Sequence, residues 1–287
     1  RLTVNEEAAA LETAFDYSYY QFMAGQQSTD NKQKMRTLLA RRASIDLPEQ
    51  RMKPLQPPID PASGHSTARL ALSAGHAREA GYASLKLRPA YHDLLDPPAG
   101  YRQGAHIDFL DSEIRLDEEQ KRLRLERLSA VDIDSLATLD IFFKPISWYF
   151  GLGWRQAAVN GSGAFSDIEH HGVAYIDGGA GYSLQLGDSG QCYLQLGMDI
   201  EAGPSLDRGW RTGIGPRTGC LAGNDNWRMR IQSDLRWRNA PDGLEHQLKL
   251  ELQRDLVKGH ALRIQTGLLH ADRKESLLTE LGWIHYF

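Results

Sequence analysis

From residue 65 to the C-terminus, apolar residues recur at every second position in one segment after another. The clearest case is WRMRIQSDLRWR at 227–238. One parity holds Trp227, Met229, Ile231, Ser233, Leu235 and Trp237, and the other holds Arg228, Arg230, Gln232, Asp234 and Arg236. A helix repeats every 3.6 residues and a strand every two, so this pattern is that of a strand with one apolar and one charged face. The same alternation runs through SWYFGLGW, CYLQLGMDIEA, HQLKLELQ and ALRIQTG.

Twelve such segments are counted between 66 and 287, separated by turn-like stretches such as REAG, DEEQ, GDSG and NAPDG. Many strands with short turns mean a sandwich or a barrel. Two features select the barrel. Many of the segments run well past the usual globular strand of about 5–6 residues. Their apolar faces also carry aromatics at the ends and aliphatics between, the girdle-and-band pattern of a strand crossing a bilayer. The expected fold is therefore all-β, an antiparallel transmembrane β-barrel of about twelve strands. An even number brings both barrel ends to one side of the membrane. No apolar stretch is long enough for a transmembrane helix. Mean hydropathy is −0.47, which a barrel strand tolerates because only alternate residues are apolar. A net charge of −4 and a pI near 6.2 give no nucleic-acid footprint.

The N-terminal part is different. VNEEAAALETAFDYSYYQFMAG reads as a helix capped by Asn5, with Leu11, Phe15, Tyr19 and Phe22 on one face. A second helix follows, capped near Ser28 to Asp30, with Met35, Leu38 and Leu39 inward. The expected organisation is a helical hairpin at 1–47, a proline-rich linker at 48–64 and the barrel at 65–287. The chain starts at Arg1 with no visible signal peptide.

Trial hairpins can be built from the turns. Centring one near Pro241 sets Asp234 opposite Lys249 and Arg228 opposite Asp255, joining opposite charges. Centring another near Leu206 sets Cys192 beside Cys220 on the apolar parity. A disulfide and two separate thiols both remain open for this pair.

The last segment, ELGWIHYF, resembles the insertion signal of Gram-negative outer-membrane barrels. It has Gly282, an aromatic before the end and the terminal Phe287, with His285 where an aromatic is commoner. LKLRPAYHDLLDPPAGYRQGAHIDFLD, with LERLSAVDIDSL and PISWYFGLGWR, resembles the C-terminal part of uncharacterised Gram-negative envelope proteins. Those proteins carry an Lnb-type periplasmic domain upstream, which this sequence lacks. The resemblance implies an outer-membrane location, a periplasmic N-terminal segment and the missing domain as a partner. It also implies contact with outer-membrane lipid and the barrel-assembly machinery. It implies no reaction.

Candidate chemistry is sparse. His92, Asp93 and Asp96 in HDLLDPPAGY have metal or acid–base character, against the plainer reading of a capped, proline-stiffened turn. His65 and Ser66 lie at the start of the first strand. Ser162, with His170 and His171, forms a weak nucleophile–base grouping in the longest loop. The most informative surface is the lumen face. Arg228, Arg230, Arg236, Lys249 and Arg263 cluster there with Asp234, Glu251, Asp255 and Glu280. A closed network of paired charges is favoured over an open conduit, because twelve strands enclose only a modest interior. The expected function is an outer-membrane anchor or scaffold for a periplasmic domain. The alternatives are a small-solute pore leaning towards anions and an outer-membrane lipid hydrolase or deacylase. Enzymatic activity is left undecided for want of a strong catalytic motif, and no metal or cofactor is expected.

Overall fold

The computed structural model describes the chain except residues 1, 26–27, 47–58, 78–79, 119–120, 141–143, 160–168, 188, 240–242 and 272–273. The chain forms two units, Arg1–Pro57 and Pro58–Phe287. Most of the linker expected at 48–64 lies outside the described residues.

The first unit is a pair of helices, α1 (Val4–Met23) and α2 (Thr29–Ala43). Thr3 caps α1 in place of Asn5. Its hydroxyl accepts the Glu6 N–H at 3.3 Å, and the Glu6 carboxylate accepts the Thr3 N–H at 2.7 Å. This reciprocal pair starts the helix two residues earlier than a cap at Asn5 would. Ser28 caps α2 by accepting the Asn31 N–H at 3.1 Å. Arg41 reaches Glu7 at 2.7 Å and Arg42 reaches Glu12 at 2.6 Å, tying the two helices together. Leu11 is buried between them, but Tyr19 and Leu39 are 48% and 50% exposed. The apolar stripes expected on these short helices are therefore only partly covered within the unit.

The second unit is one sheet closed on itself. Its strands are β1 (Arg69–Ala77), β2 (Ala80–Arg88), β3 (Ala90–His92), β4 (Ala105–Asp117), β5 (Arg122–Ser135) and β6 (Ser147–Val159). They continue with β7 (Glu169–Leu186), β8 (Gly190–Ala202), β9 (Trp210–Gly223), β10 (Trp227–Arg238), β11 (Leu244–Asp255), β12 (His260–Ala271) and β13 (Lys274–Tyr286). Both β2 and β3 pair with β4, so they are one crossing interrupted at Pro89, which has no N–H to give the ladder. The thirteen segments thus make twelve crossings. Each strand pairs antiparallel with its sequence neighbour, and β13 returns to β1 from Arg69↔Tyr286 to Ala77↔Leu278. Phe287 N–H donates to the Ala68 carbonyl at 3.0 Å, extending the seam.

The chain alternation becomes inside and outside of the ring. On β8 the outward set is Leu194, Leu196, Met198 and Ile200, and the buried inward set is Gln191, Tyr193, Gln195, Asp199 and Glu201. Outward Trp148, Trp227 and Trp283 stand near the end of the barrel that carries its two termini, here called the terminal mouth. Outward Trp210 and Trp237 stand near the opposite mouth. This is an apolar belt between two aromatic girdles around a polar lumen, the construction of an outer-membrane β-barrel. No helix of the described residues is long and apolar enough to cross a membrane.

The trial register of the β10–β11 hairpin is corrected by two residues. Asp234 faces Gln247 and Arg228 faces Gln253, while Arg230 faces Glu251. This register gains the direct Arg230–Glu251 pair at 2.5 Å, and Arg228 still reaches Asp255 diagonally at 2.5 Å. Lys249 turns instead to Glu251 on its own strand at 3.0 Å. Cys192 and Cys220 face each other on β8 and β9 and are joined by a disulfide.

The belt predicts a depth-dependent penalty. Met198 points outward at mid-strand and is 63% exposed to the surroundings of the barrel. Met198→Arg is expected to lower unfolding stability in a bilayer by about 2–4 kcal/mol. Denaturant unfolding in lipid vesicles measures this. A neutral result would mean that the outer face of β8 does not meet hydrocarbon.

Candidate functional site

The terminal mouth is filled by the chain's own connections. The β3–β4 connection folds into the lumen, where Leu95 is 0% exposed. Two carboxylates fasten it. Asp93 accepts from Arg69 at 2.8 Å and from Arg263 at 2.6 Å. Asp96 faces Arg88 at 2.6 Å and Arg69 at 3.3 Å, and it accepts the Tyr286 hydroxyl at 2.7 Å. Arg228 Nε donates to the Leu95 carbonyl at 2.6 Å. Side chains of β1, β2, β10, β12 and β13 therefore hold one loop. Within it, Asp93 accepts the Leu95 N–H at 2.8 Å and Asp96 accepts the Asp93 N–H at 2.9 Å, a turn in which the acids also satisfy backbone groups.

A second connection joins it. Leu136 N–H donates to the Gly104 carbonyl at 2.8 Å, and Gln191 donates to the Leu136 carbonyl at 2.7 Å. Leu139 N–H donates to the Ser183 carbonyl at 2.8 Å, laying this connection along β7. Gly104 has φ +76°, and a side chain there would strike the Leu136 carbonyl.

An aromatic and imidazole stack covers the first loop. His65 Nε2 lies 2.9 Å from His92 Nδ1, and the Tyr101 ring stacks on both imidazoles with centroids 4.4 and 4.3 Å away. Tyr101 donates to the His65 carbonyl at 2.9 Å. His65, His92 and Asp96 bring ligand atoms within 4.8 Å of one another. Both Asp96 oxygens are committed to Arg88, Tyr286 and the Asp93 N–H, and His65 Nε2 is committed to His92, so the donor set does not fit a cation.

The charge states follow from this packing. Burial works against an ionised Asp93, but Arg263 and Arg69 outweigh it and hold its carboxyl well below the usual range. Asp96 is likewise held low, with burial opposed mainly by Arg88. Burial pushes His65 down, which favours a neutral imidazole at its hydrogen bond to His92. A depressed carboxyl stabilises the fastened loop fully above its unfolded pKa and loses that contribution as pH falls through the folded value. The fastening is therefore complete at neutral pH and releases only below the ordinary carboxylate range.

Further along, the lumen is bridged from wall to wall. Arg217 on β9 donates both terminal nitrogens to Asp134 on β5, at 2.8 and 2.9 Å. Arg236 on β10 donates to the Tyr149 hydroxyl on β6 at 2.9 Å. These strands lie four places apart in the ring, so each contact crosses the interior. The Tyr149 hydroxyl occupies the space above Gly197, where a Cβ would collide with it. Near the opposite mouth, Glu201 accepts from Arg155 at 2.7 Å and Arg211 at 2.5 Å, and Asp199 pairs with Arg238 and with Arg236 at 3.3 Å. Glu280 accepts from Lys86 at 2.5 Å and Tyr82 at 3.0 Å.

The expected lumen set divides among these clusters. Arg228, Asp255, Arg230, Glu251 and Lys249 form one wall group, and Arg263 joins the two connections that fill the terminal mouth, here called the stopper. Asp234 sits 3.4 Å from Arg236, while Glu280 belongs to the β2 group. The wider set of Arg69, Arg88, Asp134, Arg217 and Glu201 was missed. Their inward parity is readable strand by strand, but which opposite wall each reaches depends on ring closure. Ser162 lies outside the described residues, as does the side chain of His170, and His171 stands on β7. Gly282 and Phe287 take part in the closing seam, and His285 faces outward in a stack with His260, Trp283 and Phe287.

Residues 58–286 match the family described as a domain of unknown function, DUF7840. The chain belongs to this family. Residues 1–54 match a second domain of unknown function, DUF7842. No protein of curated function matches the sequence. Among solved structures, the barrel is similar to the COG4313 outer membrane channel from Pseudomonas putida F1, at 10% identity and TM-score 0.47, over 84% of this chain and 100% of that one. The NanC porin is similar at 11% identity and TM-score 0.45, over 76% and 99%. The KdgM porin in complex with disordered oligogalacturonate is similar at 8% identity and TM-score 0.42, also over 76% and 99%. These likenesses concern the fold alone.

The stopper predicts its own sensitivity. Asp96→Asn removes the carboxylate facing Arg88, which is 0% exposed. Asp108, at 3.4 Å, remains as a second carboxylate for Arg88, so the cost is expected to stay below that of a fully stranded buried charge, about 3–5 kcal/mol. A thermal unfolding scan in detergent is expected to show a marked drop for this variant. An unchanged midpoint would mean that the loop is not held through Asp96.

Proposed function

We propose that the protein is a small-solute passage across the outer membrane, shut at rest by two of its own connections, with both barrel termini on the periplasmic side. The observation that carries this reading is the make-up of the stopper. It consists of connecting segments, separate from the wall, held by ion pairs and hydrogen bonds inside a lumen that is polar along its length. Such a stopper can leave without disturbing the strand ladder. The lumen also keeps buried polar atoms that make no hydrogen bond, among them both amide atoms of Gln195, which suits a hydrated path. An anion preference is not supported. The cations Arg228, Arg230, Lys249 and Arg263 all lie against carboxylates, so they leave no free cationic row.

A second reading, a membrane anchor for a periplasmic domain, is favoured by the Arg217–Asp134 bridge, which crosses the lumen apart from the stopper. Planar-bilayer recording separates the two. The wild-type protein is expected to be nearly silent at neutral pH, and Asp93→Asn with Asp96→Asn is expected to give steady conductance steps. Silence in both, with the variant still running as a folded, heat-modifiable barrel, favours the anchor and removes the passage.

A further inference from the structure

Lysine and arginine are all but absent from the outer wall of the barrel. Among the described strand residues, Arg254 on β11 is the one Lys or Arg with outward parity, and it is exposed. It stands between two girdle tryptophans. Trp227 on β10 is in register with Arg254, Arg254 with Leu262 on β12, and Leu262 with Trp283 on β13. Lys258 is exposed in the β11–β12 turn at the terminal mouth, beside exposed Leu256 and Val257. Neither cation has an ion-pair partner among the described residues, whereas the lumen arginines Arg217, Arg230 and Arg263 lie against carboxylates. Two imidazoles complete the group. His260 and His285 are in register with outward parity, and their ring centroids are 4.6 Å apart. Trp283 stacks on both, at 5.4 and 5.9 Å, and Phe287 stacks on His285 at 5.8 Å. Nδ1 of each imidazole is buried with no hydrogen-bond partner. The sealed nitrogen has no acceptor for a proton, so the N–H of each ring belongs on Nε2.

We propose that this edge of the barrel is a binding site for the phosphodiester of an anionic glycerophospholipid. Girdle aromatics mark the headgroup layer, so Arg254, in register between Trp227 and Trp283, stands at the level of lipid phosphates. Its planar fork can bind two phosphate oxygens at once. His260 is one diagonal step from Arg254 across the β11–β12 pair, about 7–8 Å between backbones, and it brings an N–H donor to the same patch. Lys258 adds a second cation from the turn, on a stem long enough to keep its charge in the headgroup layer. A free phosphate would need the cations alone. Outward Leu250, Leu252, Leu262 and Ile264 lead from Arg254 into the belt, and they give acyl chains a surface to lie along, which favours a lipid. The site takes from the passage reading only the periplasmic side of this mouth, and it does not depend on whether the lumen opens.

The test is native mass spectrometry of the full chain released from detergent micelles, titrated with phosphatidylglycerol, phosphatidylcholine, lipid A or inorganic phosphate. The wild-type protein is expected to retain phosphatidylglycerol in preference to phosphatidylcholine. Arg254→Gln is expected to weaken that retention about fivefold, and Arg254→Gln with Lys258→Gln by more than about tenfold. His260→Phe with His285→Phe keeps the stacked rings and removes the donors, so retention is expected to fall while the thermal midpoint holds. Arg208→Gln, which removes an exposed cation from the β8–β9 turn at the opposite mouth, is expected to change nothing. Heat-modifiable mobility keeps misfolded variants out of the comparison. Equal retention of the two phospholipids would overturn the proposal, as would phosphatidylglycerol binding that survives the loss of Arg254 and Lys258. Displacement of the lipid by inorganic phosphate would overturn it in favour of a free-anion site. Preferred retention of lipid A would overturn the glycerophospholipid assignment and place this mouth at the outer leaflet.

Discussion

Hydrocarbon offers no partner to a backbone N–H or C=O, and the rest of this structure depends on that fact. A sheet in lipid must close, since an open edge would leave a row of unpaired groups at several kcal/mol each. The β1–β13 seam meets that demand with its paired register from Arg69↔Tyr286 to Ala77↔Leu278. Once the ring is closed, strand alternation divides the molecule into a lipid side and a lumen side. Every inward charge is then fixed within a few ångströms of an inward residue on another strand.

Twelve strands make that interior narrow enough for side chains to meet across it. An arginine paired bidentately with an aspartate reaches from β9 to β5, as Arg217 does with Asp134. Arginine suits this use because its planar fork binds a carboxylate through two nitrogens and stacks on an aromatic face. The Arg217 guanidinium does both, lying 4.2 Å from the Tyr149 ring centroid. Buried ion pairs of this sort are weak contributors to net stability, because desolvation offsets much of the Coulomb attraction. Their effect is positional: each partner left alone would be expensive, so the set of pairings is held together. The β3–β4 connection uses the same chemistry. Asp93 and Asp96 sit on a connection rather than a strand, so the pairs that lock the walls also lock the loop.

Local information made the ladder legible in the sequence. The period of two, the girdle tryptophans and the turns need only neighbouring residues, and they placed twelve crossings and the disulfide partners Cys192 and Cys220. The β10–β11 register slipped by two residues because a shift of two preserves parity and still joins opposite charges, so the pattern alone does not distinguish them. The acids of HDLLDPPAGY were visible as a capped turn, and they do accept backbone N–H groups. Their arginine partners were not visible, because Arg69, Arg88 and Arg263 come from strands that meet only after the ring closes. The helix stripes were overread for a related reason. Tyr19 and Leu39 have the right spacing, yet a two-helix unit offers only one neighbour to cover each face.

On the outer face Ser233 Oγ lies 2.8 Å from His246 Nε2, and this pair escaped for the opposite reason. Ser233 stood in plain view within an apolar parity, where a single hydroxyl is unremarkable, and His246 belonged to a different strand. Their meeting depends on the corrected register, which sets Ser233 opposite Leu248 and His246 opposite Leu235, one diagonal step apart. In the trial register, offset by two, His246 would face Trp237, and the imidazole would lie two residues farther from the hydroxyl. The two-residue difference that leaves the charge pattern nearly unchanged inside the barrel thus decides whether a hydroxyl and an imidazole touch on its outside. On a lipid-bathed wall such a contact has a consequence that it lacks in water. The hydroxyl and imidazole have no solvent to bind, so each is held to the other.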